Sequence, residues 1–381
     1  MRILFGVQGT GNGHVTRARQ LVSALISRGL SVEVLLSGRG LNQWPDEPWI
    51  DNAHRYSGLT FVTRNGRVDR WRTLSTLRPF RTVKEMNAIP ADDYDLVISD
   101  FEPLSAWSAR RLKVPCIGIG HQYAFCHRVP SPHDDLIGAL VLRHFAPAST
   151  YMGLHWHPFG APILPPMIDH SLVRETPQGY TLVYRPFEDT RTTISLLRQF
   201  PNHKFQLFAP DAPADGVLIR NVWVRPVSAG LFRESLLKAD RVVCSTGFML
   251  ISESLHLGLP ILTRPVQGQY EQRANAAALS VLDVGTVCEA PLSKSDLSAF
   301  LDGPVYMSPV RFPDVASAIA DEIERLDVAE IRDGSLTMDM GILSQRLWRD
   351  VQTSQPAWAS VAVEADSGIA EPAMSRFGIA A

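Results

Sequence analysis

The sequence predicts an α/β protein built from two doubly wound, parallel-sheet domains that face a central cleft. Three observations carry this. An apolar run at the N-terminus leads through a glycine cluster into a helical pattern. The alternation of strand and helix stops at a proline-rich stretch near residue 160 and then begins again. The chain has 381 residues, 45% hydrophobic and 20% charged, more than the roughly 150 expected of one domain.

Taken in order, residues 2–7 form a short apolar run that ends in Gly9-Thr10-Gly11-Asn12-Gly13. Ala18, Leu21, Val22, Leu25 and Ile26 then recur at helical spacing. Gly29 stops that helix, and residues 31–36 read as a second buried strand, the start of a parallel sheet. Residues 95–99 and 114–119 are further strands around a helix at 103–112, so a first α/β domain covers residues 1–160. Pro158, Pro162, Pro165, Pro166 and Pro177 resist both helix and central strand and mark a linker over residues 161–177. Beyond it come strands at 180–184, 204–209, 222–224, 241–244 and 260–263. Helices fall at 192–200, 230–239 and 250–257, which makes a second domain over 178–326. Helical patterns at 315–326 and 343–351 follow, either able to pack back across the linker, with a helical segment placed at 327–354. The Ala- and Ser-rich tail, 355–381, is expected to be poorly ordered.

Composition narrows the partners. A formal net charge of -2 supplies no global field for nucleic acid or an anionic membrane, so either must be met by a local patch. The longest apolar runs, such as 136–142, fall short of the roughly 18 residues that cross a bilayer. No transmembrane helix is expected. The N-terminus starts directly as an apolar run without the sections of a secretory signal, which points to a cytoplasmic protein. Cys116, Cys126, Cys244 and Cys288 are too widely spaced for a zinc site and read as reduced core residues.

Two loops carry candidate chemistry. In the first, Gly11, Asn12 and Gly13 precede a helix whose unpaired N–H groups suit an anion, the glycines being read as permitting positive φ and close approach. The dinucleotide fingerprint requires glycine three positions after Gly11, where this chain has His14. An imidazole at that edge of a parallel sheet suits a general base, and Asp100, just after the strand 95–99, is placed to orient it. The local alternative is that Asp100 caps the helix beginning near Pro103. In the second half, Ser245, Thr246, Gly247 and Phe248 follow a strand and open a helix, an anion site suited to a diphosphate. Glu253, one turn further on, can accept from two ribose hydroxyls; alternatively Ser245 and Thr246 only cap the helix. Arg185, after the first strand of the second domain, can bring a cation to the diphosphate.

The stretch from Val242 to Ala276, with Gly258-Leu259-Pro260 and Gln269-Tyr270-Glu271-Gln272 in order, resembles the donor-binding region of GT-B glycosyltransferases. It is most similar to the nucleotide-sugar enzymes that include plant UDP-glycosyltransferases and the peptidoglycan N-acetylglucosaminyltransferase. Gly13-His14, and Ser99-Asp100 followed by Ala106, Ala109, Val114 and Pro115, resemble the segments carrying that family's His-Asp pair. The resemblance implies two Rossmann-like domains and an inverting, metal-independent transfer of a sugar from a nucleotide-diphosphate donor, UDP-linked, with no cofactor. It implies that Glu253 binds ribose and that Glu271 and Gln272 hold donor-sugar hydroxyls. The chain departs from plant members in having Ser245 where they have a phosphate-binding histidine, and Met249 and Leu250 where they have Asn and Ser. Two extra residues also separate Pro265 from Glu271. Phosphate contacts then fall to backbone N–H groups, Ser245 and Thr246.

Eight basic side chains lie between Asn52 and Pro90 (Arg55, Arg64, Arg67, Arg70, Arg72, Arg78, Arg81 and Lys84) against Asp69 and Glu85. With Phe61, Trp71, Leu77 and Phe80 among them, this segment suits an anionic acceptor, a lipid phosphate at the inner membrane surface or a nucleic acid, or else it is a solvated face. The one Asp-x-Asp that suggests a metal, Asp93-Tyr94-Asp95, precedes a strand of the first domain, at the wrong sheet edge for the donor. Competing readings are a sugar-nucleotide epimerase on the same fold, a non-catalytic nucleotide-sugar sensor, and an NADP-dependent oxidoreductase supported by Ser37-Gly38-Arg39. The sugar, the acceptor and the oligomeric state stay open.

Overall fold

The computed structural model describes residues 1–40, 44, 47–59, 63–64, 67–68, 79–132, 144–332 and 338–354. The first sheet takes β1 (Arg2–Gln8), β2 (Ser31–Ser37), β3 (His54–Arg55), β6 (Leu96–Asp100), β7 (Cys116–Gly120) and β8 (Thr150–Gly153) in the order β3-β2-β1-β6-β7-β8. Every pairing in it is parallel. A two-stranded ribbon, β4 (Thr63–Arg64) and β5 (Arg67–Val68), stands apart from it. Helices α1 (Asn12–Ser27), α2 (Pro79–Ala88) and α3 (Pro103–Leu112) belong to this half. The run Ile3 to Gln8 is buried throughout, as expected of a strand covered on both faces.

The second sheet has the order β11-β12-β10-β9-β13-β14-β15. Its strands are β9 (Tyr180–Tyr184), β10 (Lys204–Ala209), β11 (Val217–Ile219), β12 (Val222–Pro226), β13 (Arg241–Ser245), β14 (Ile261–Arg264) and β15 (Thr286–Val287). Only the edge pair β11 and β12 is antiparallel. Its helices are α4 (Thr190–Leu197), α5 (Ala229–Leu237), α6 (Phe248–Leu257), α7 (Tyr270–Leu282) and α8 (Lys294–Asp302). The chain reverses its winding at β1 in the first sheet and at β9 in the second. The carboxyl ends of β1 with β6, and of β9 with β13, are therefore the two crevices where ligands of such sheets bind.

The proline-rich stretch connects the two sheets without a helix, and one bridge, Leu154 with Leu164, ties it to the end of β8. It is packed rather than free, because Ile163, Leu164, Met167, Ile168 and Leu172 are all buried. Two later helices return across it. In α9 (Val315–Glu324), Asp321 and the Ser317 carbonyl accept from Arg28, the residue that caps the C-terminus of α1, at 2.6 and 3.0 Å. From α11 (Met340–Arg349), Ser344 Oγ and Trp348 Nε1 both donate to the Ile163 carbonyl at 2.7 Å. The short helix α10 (Val328–Arg332) lies between them, and β16 (Val310–Arg311) pairs with β17 (Gln352–Thr353).

Some expectations are corrected. Ile26 is 54% exposed and lies off the core face of α1. Cys126 is exposed and Cys288 half-buried, so only Cys116 and Cys244 are core residues, although none of the four is in a disulfide. The apolar run 136–142 and the tail lie outside the described residues. Among the described residues no helix is long and apolar enough to cross a membrane.

Candidate functional site

The first crevice holds a three-membered cluster. Val7 of β1 lies in register with Asp100 at the end of β6, so the glycine loop after β1 passes directly over the Asp100 carboxylate. His14, in the first turn of α1, places Nδ1 2.9 Å from Asp100 Oδ1. Arg17, one turn on, donates from Nε to Asp100 Oδ2 at 3.1 Å and from Nη2 to Oδ1. Arg17 Nη2 also lies 3.1 Å from His14 Nδ1, but it donates to Oδ1; a carboxylate only accepts, so a proton on Nδ1 completes the contact with Asp100 and leaves the other ring nitrogen, Nε2, as the basic one. Burial alone raises the Asp100 carboxyl, but the charges of Arg17 and His14 and their hydrogen bonds outweigh it and hold it below the usual carboxylate value. Asp100 and Arg17 are 1% and 3% exposed.

Asp100 is free for this because it does not cap α3. Glu102 does, its Oε1 accepting from Leu104 N at 2.9 Å and from Ser37 Oγ at 2.5 Å and its Oε2 from Ser105 N at 2.6 Å. Phe101, between the two acids, takes a left-handed φ of 51°. Burial raises the Glu102 carboxyl against those hydrogen bonds. Neither Arg17 nor Glu102 was anticipated. Arg17 had a signal, a cation at an apolar position three residues after His14, and Glu102 stood one position before Pro103 at the start of a helix.

The glycine loop works by space rather than by unusual backbone. Gly9, Gly11 and Gly13 have no positive φ, which corrects the expectation. A Cβ on Gly13 would meet Met249 Cγ of α6 at 2.8 Å, so this glycine lets the two domains touch. Gly11, the N-cap of α1, has nothing within 4 Å of such a Cβ and no side-chain cap. Asn12 accepts from Arg39 Nη2 at 2.9 Å, while Arg39 Nε bonds the Gly9 carbonyl at 3.0 Å. Arg39 thus braces the loop, which engages the arginine of Ser37-Gly38-Arg39, the support for the oxidoreductase reading.

The second crevice faces the first. Gly247 is the N-cap of α6, again with no side-chain cap and with open space around it. Ser245 and Thr246 therefore do not cap the helix. Thr246 is fully buried, its hydroxyl 3.0 Å from that of Thr263, so only Ser245 of the pair, 9% exposed, keeps a hydroxyl near the surface. Phe248 stacks on His121 with ring centroids 3.9 Å apart and planes at 7°. The first turns of α1 and α6, both uncapped, thereby converge, each presenting free N–H groups and the positive end of a helix dipole.

Glu253 is half-buried and makes no hydrogen bond or ion pair among the described residues. Burial pushes its carboxyl up to about 7, with Arg233 and Arg19 pulling it down. Glu271 accepts from Gln122 Nε2 at 3.0 Å, a bond across the cleft from the segment after β7. Gln272 departs from its expected role, since its side-chain carbonyl accepts from Val266 N at 3.0 Å and it is 4% exposed. The lengthened loop between Pro265 and Glu271 uses that amide for its own closure. Arg185 is 9% exposed and 3.2 Å from Glu188. His121 and Asn275 tie the domains together, Nε2 to Oδ1 at 2.5 Å, and Asn275 donates on to the Thr246 carbonyl at 3.0 Å.

Asp93-Tyr94-Asp95 stands at the amino edge of the first sheet, where Asp95 accepts from Arg2 N at 2.7 Å, far from either crevice. Among the described residues no group of three or more His, Cys, Asp or Glu is placed to hold a metal. In the basic segment, Arg70, Arg72, Arg78, Phe61, Trp71 and Leu77 lie outside the described residues. Arg81 pairs with Glu85 at 2.8 Å, and Phe80 is 92% exposed.

Residues 1–303 match the family described as glycosyl transferase family 1. Among solved structures, the glycosyltransferase SsfS6 of a Streptomyces species, complexed with thymidine diphosphate, is 17% identical, with 92% of this chain and 99% of that one covered at a TM-score of 0.52. UGT2 of Phytolacca americana, complexed with UDP-2fluoro-glucose and pterostilbene, is 14% identical over 92% and 98%, also at 0.52. The glycotransferase of kitacinnamycin is 15% identical over 92% and 99%, at 0.51. At such identities the likeness is one of fold, two facing parallel-sheet domains of the GT-B type. No curated protein matches the sequence.

Proposed function

Since the chain belongs to glycosyl transferase family 1, we propose that this glycosyltransferase moves a sugar from a nucleotide-diphosphate donor, UDP-linked, to an acceptor hydroxyl with inversion and without a metal. The observation that carries the reading is the 2.9 Å contact between His14 and Asp100 at a crevice that faces the uncapped start of α6. His14 Nε2 takes the proton of the acceptor hydroxyl, and that oxygen attacks the anomeric carbon from the face opposite the leaving group. The bond to the diphosphate breaks with its electron pair, and the imidazolium that results is stabilised by Asp100.

Charge gathering on the departing diphosphate is met by N–H groups of Gly247 and Phe248, by Ser245 and by Arg185, a route that needs no divalent ion. Glu253 accepts from the ribose and Glu271 from the transferred sugar. The nucleotides bound to the Streptomyces and Phytolacca proteins, thymidine diphosphate and a UDP-sugar, support a donor of this class. For the acceptor, the basic segment favours an anion, and a rising KM for anionic acceptors with added salt is the corresponding test.

Incubation with UDP- and thymidine-diphosphate-linked sugars in the presence of a chelator tests the whole reading. A glycoside of inverted anomeric configuration is expected. Release of an epimer without transfer would support the epimerase instead, and a strict metal requirement would overturn the leaving-group account.

A further inference from the structure

Three strand ends of the second sheet stand side by side at its carboxyl edge. Tyr184 of β9 is in register with Cys244 of β13, and Ser245 of β13 with Arg264 of β14. Arg185, the next residue after β9, continues the same row, so Arg185, Ser245 and Arg264 lie on adjacent strands, about 5 Å from one to the next. The row ends two residues before Gly247, the uncapped start of α6.

The two arginines share one carboxylate. Glu188 Oε1 is 3.2 Å from Arg185 Nη2 and 2.7 Å from Arg264 Nη1. Among the described residues no second carboxylate lies within ion-pair distance of either guanidinium. Arg185 is 9% exposed and Arg264 8%. Arg264 Nε is buried and has no acceptor. Two guanidiniums against one carboxylate leave positive charge at a nearly dry sheet edge, and such charge is retained where an anion completes the pairing. A planar guanidinium suits a phosphate because it donates two parallel N–H bonds.

We infer that Arg264 joins Arg185 in binding the donor diphosphate, and that Glu188 is the counter-ion that holds both guanidiniums in place and gives way in part to the phosphates. This rests on the proposed nucleotide-diphosphate donor. It adds to the phosphate contacts a residue from the strand beyond Ser245, and it makes Glu188 a brake on anion affinity rather than a support for it.

Calorimetry with UDP and with uridine tests this on the full chain. Arg264→Met is expected to weaken UDP binding by about tenfold or more and to leave uridine unchanged, because only the phosphates are lost as partners. Glu188→Gln is expected to tighten UDP binding several-fold, the opposite of what loss of a structural bridge does. It also carries the test alone if Arg264→Met does not fold. UDP affinity within twofold of the native protein in Arg264→Met, an equal loss for UDP and uridine, or weaker UDP binding in Glu188→Gln overturns the inference. A native protein that binds neither UDP nor thymidine diphosphate overturns the donor reading beneath it.

Discussion

Arg17 grips Asp100 through both Nε and Nη2, and His14 of the same helix shares the carboxylate. One buried acid is thus held by two side chains three residues apart on α1. The arrangement fixes the rotamer of Asp100 and, through it, the tautomer of His14. The base is positioned by the core of the first domain rather than by its surface.

Arg17→Met leaves the Asp100 carboxylate buried without its cation, with His14 as its remaining side-chain partner. Removal of one member of such a pair costs about 3–5 kcal/mol, which denaturant unfolding would measure. Arg17→Lys keeps the charge but loses the two-pronged grip and is expected to cost less. A loss below about 1 kcal/mol in Arg17→Met, the size of an exposed pair, would contradict a structural role for the bridge.

Gly13→Ala and Gly11→Ala are expected to separate. The first drives a methyl group to 2.8 Å from Met249 Cγ, a crowding worth about 1–3 kcal/mol at the domain contact. The second meets open space. Donor KM should rise in Gly13→Ala and recover when Met249→Ala is added, while Gly11→Ala leaves the melting temperature near that of the native protein. Failure of Met249→Ala to rescue would place the effect elsewhere.

Glu253 links donor binding to pH. Its carboxyl is raised to about 7 by burial, and ribose hydroxyls donate more strongly to the ionised form than to the protonated one. Below pH 7 the protonated, weaker acceptor predominates, so UDP affinity is expected to fall as pH drops from 8 to 6. Folding carries the opposite pH dependence: with the carboxyl raised from its ordinary 4.5 to about 7, stability from this group is fully present below about 4.5 and is lost as pH rises from there through 7. Glu253→Gln should flatten the pH dependence of UDP affinity relative to the native protein. An identical slope in the variant would detach Glu253 from the ribose.

Much of this was legible in the sequence because it depends on local pattern. The glycine loop, the apolar strands β1, β6, β9 and β13, and the placement of His14, Asp100 and Ser245 at carboxyl ends all follow from runs of a few residues, whereas Glu271 came only from the family resemblance. What escaped depends on partners distant in sequence. Gln272 looked like a sugar ligand until its carbonyl met Val266 N, and the inward turn of Arg17 onto Asp100 spans 83 residues. Short edge strands such as β11 and β15 show too few residues for a period to be read. Helix α8 was missed although its capping box, Ser293 with Asp296, is written in the sequence. The proline-rich stretch was read as a linker because composition does not report burial, whereas Ile163 and Leu164 are core residues.

The most direct measurement is turnover of His14→Ala at saturating donor and acceptor, set beside its affinity for UDP. The account predicts a loss of about 10²- to 10⁴-fold in turnover, the range for removal of a general base, with UDP affinity unchanged and a related but smaller loss in Asp100→Asn. Turnover near that of the native protein would contradict the assignment of His14 as the base.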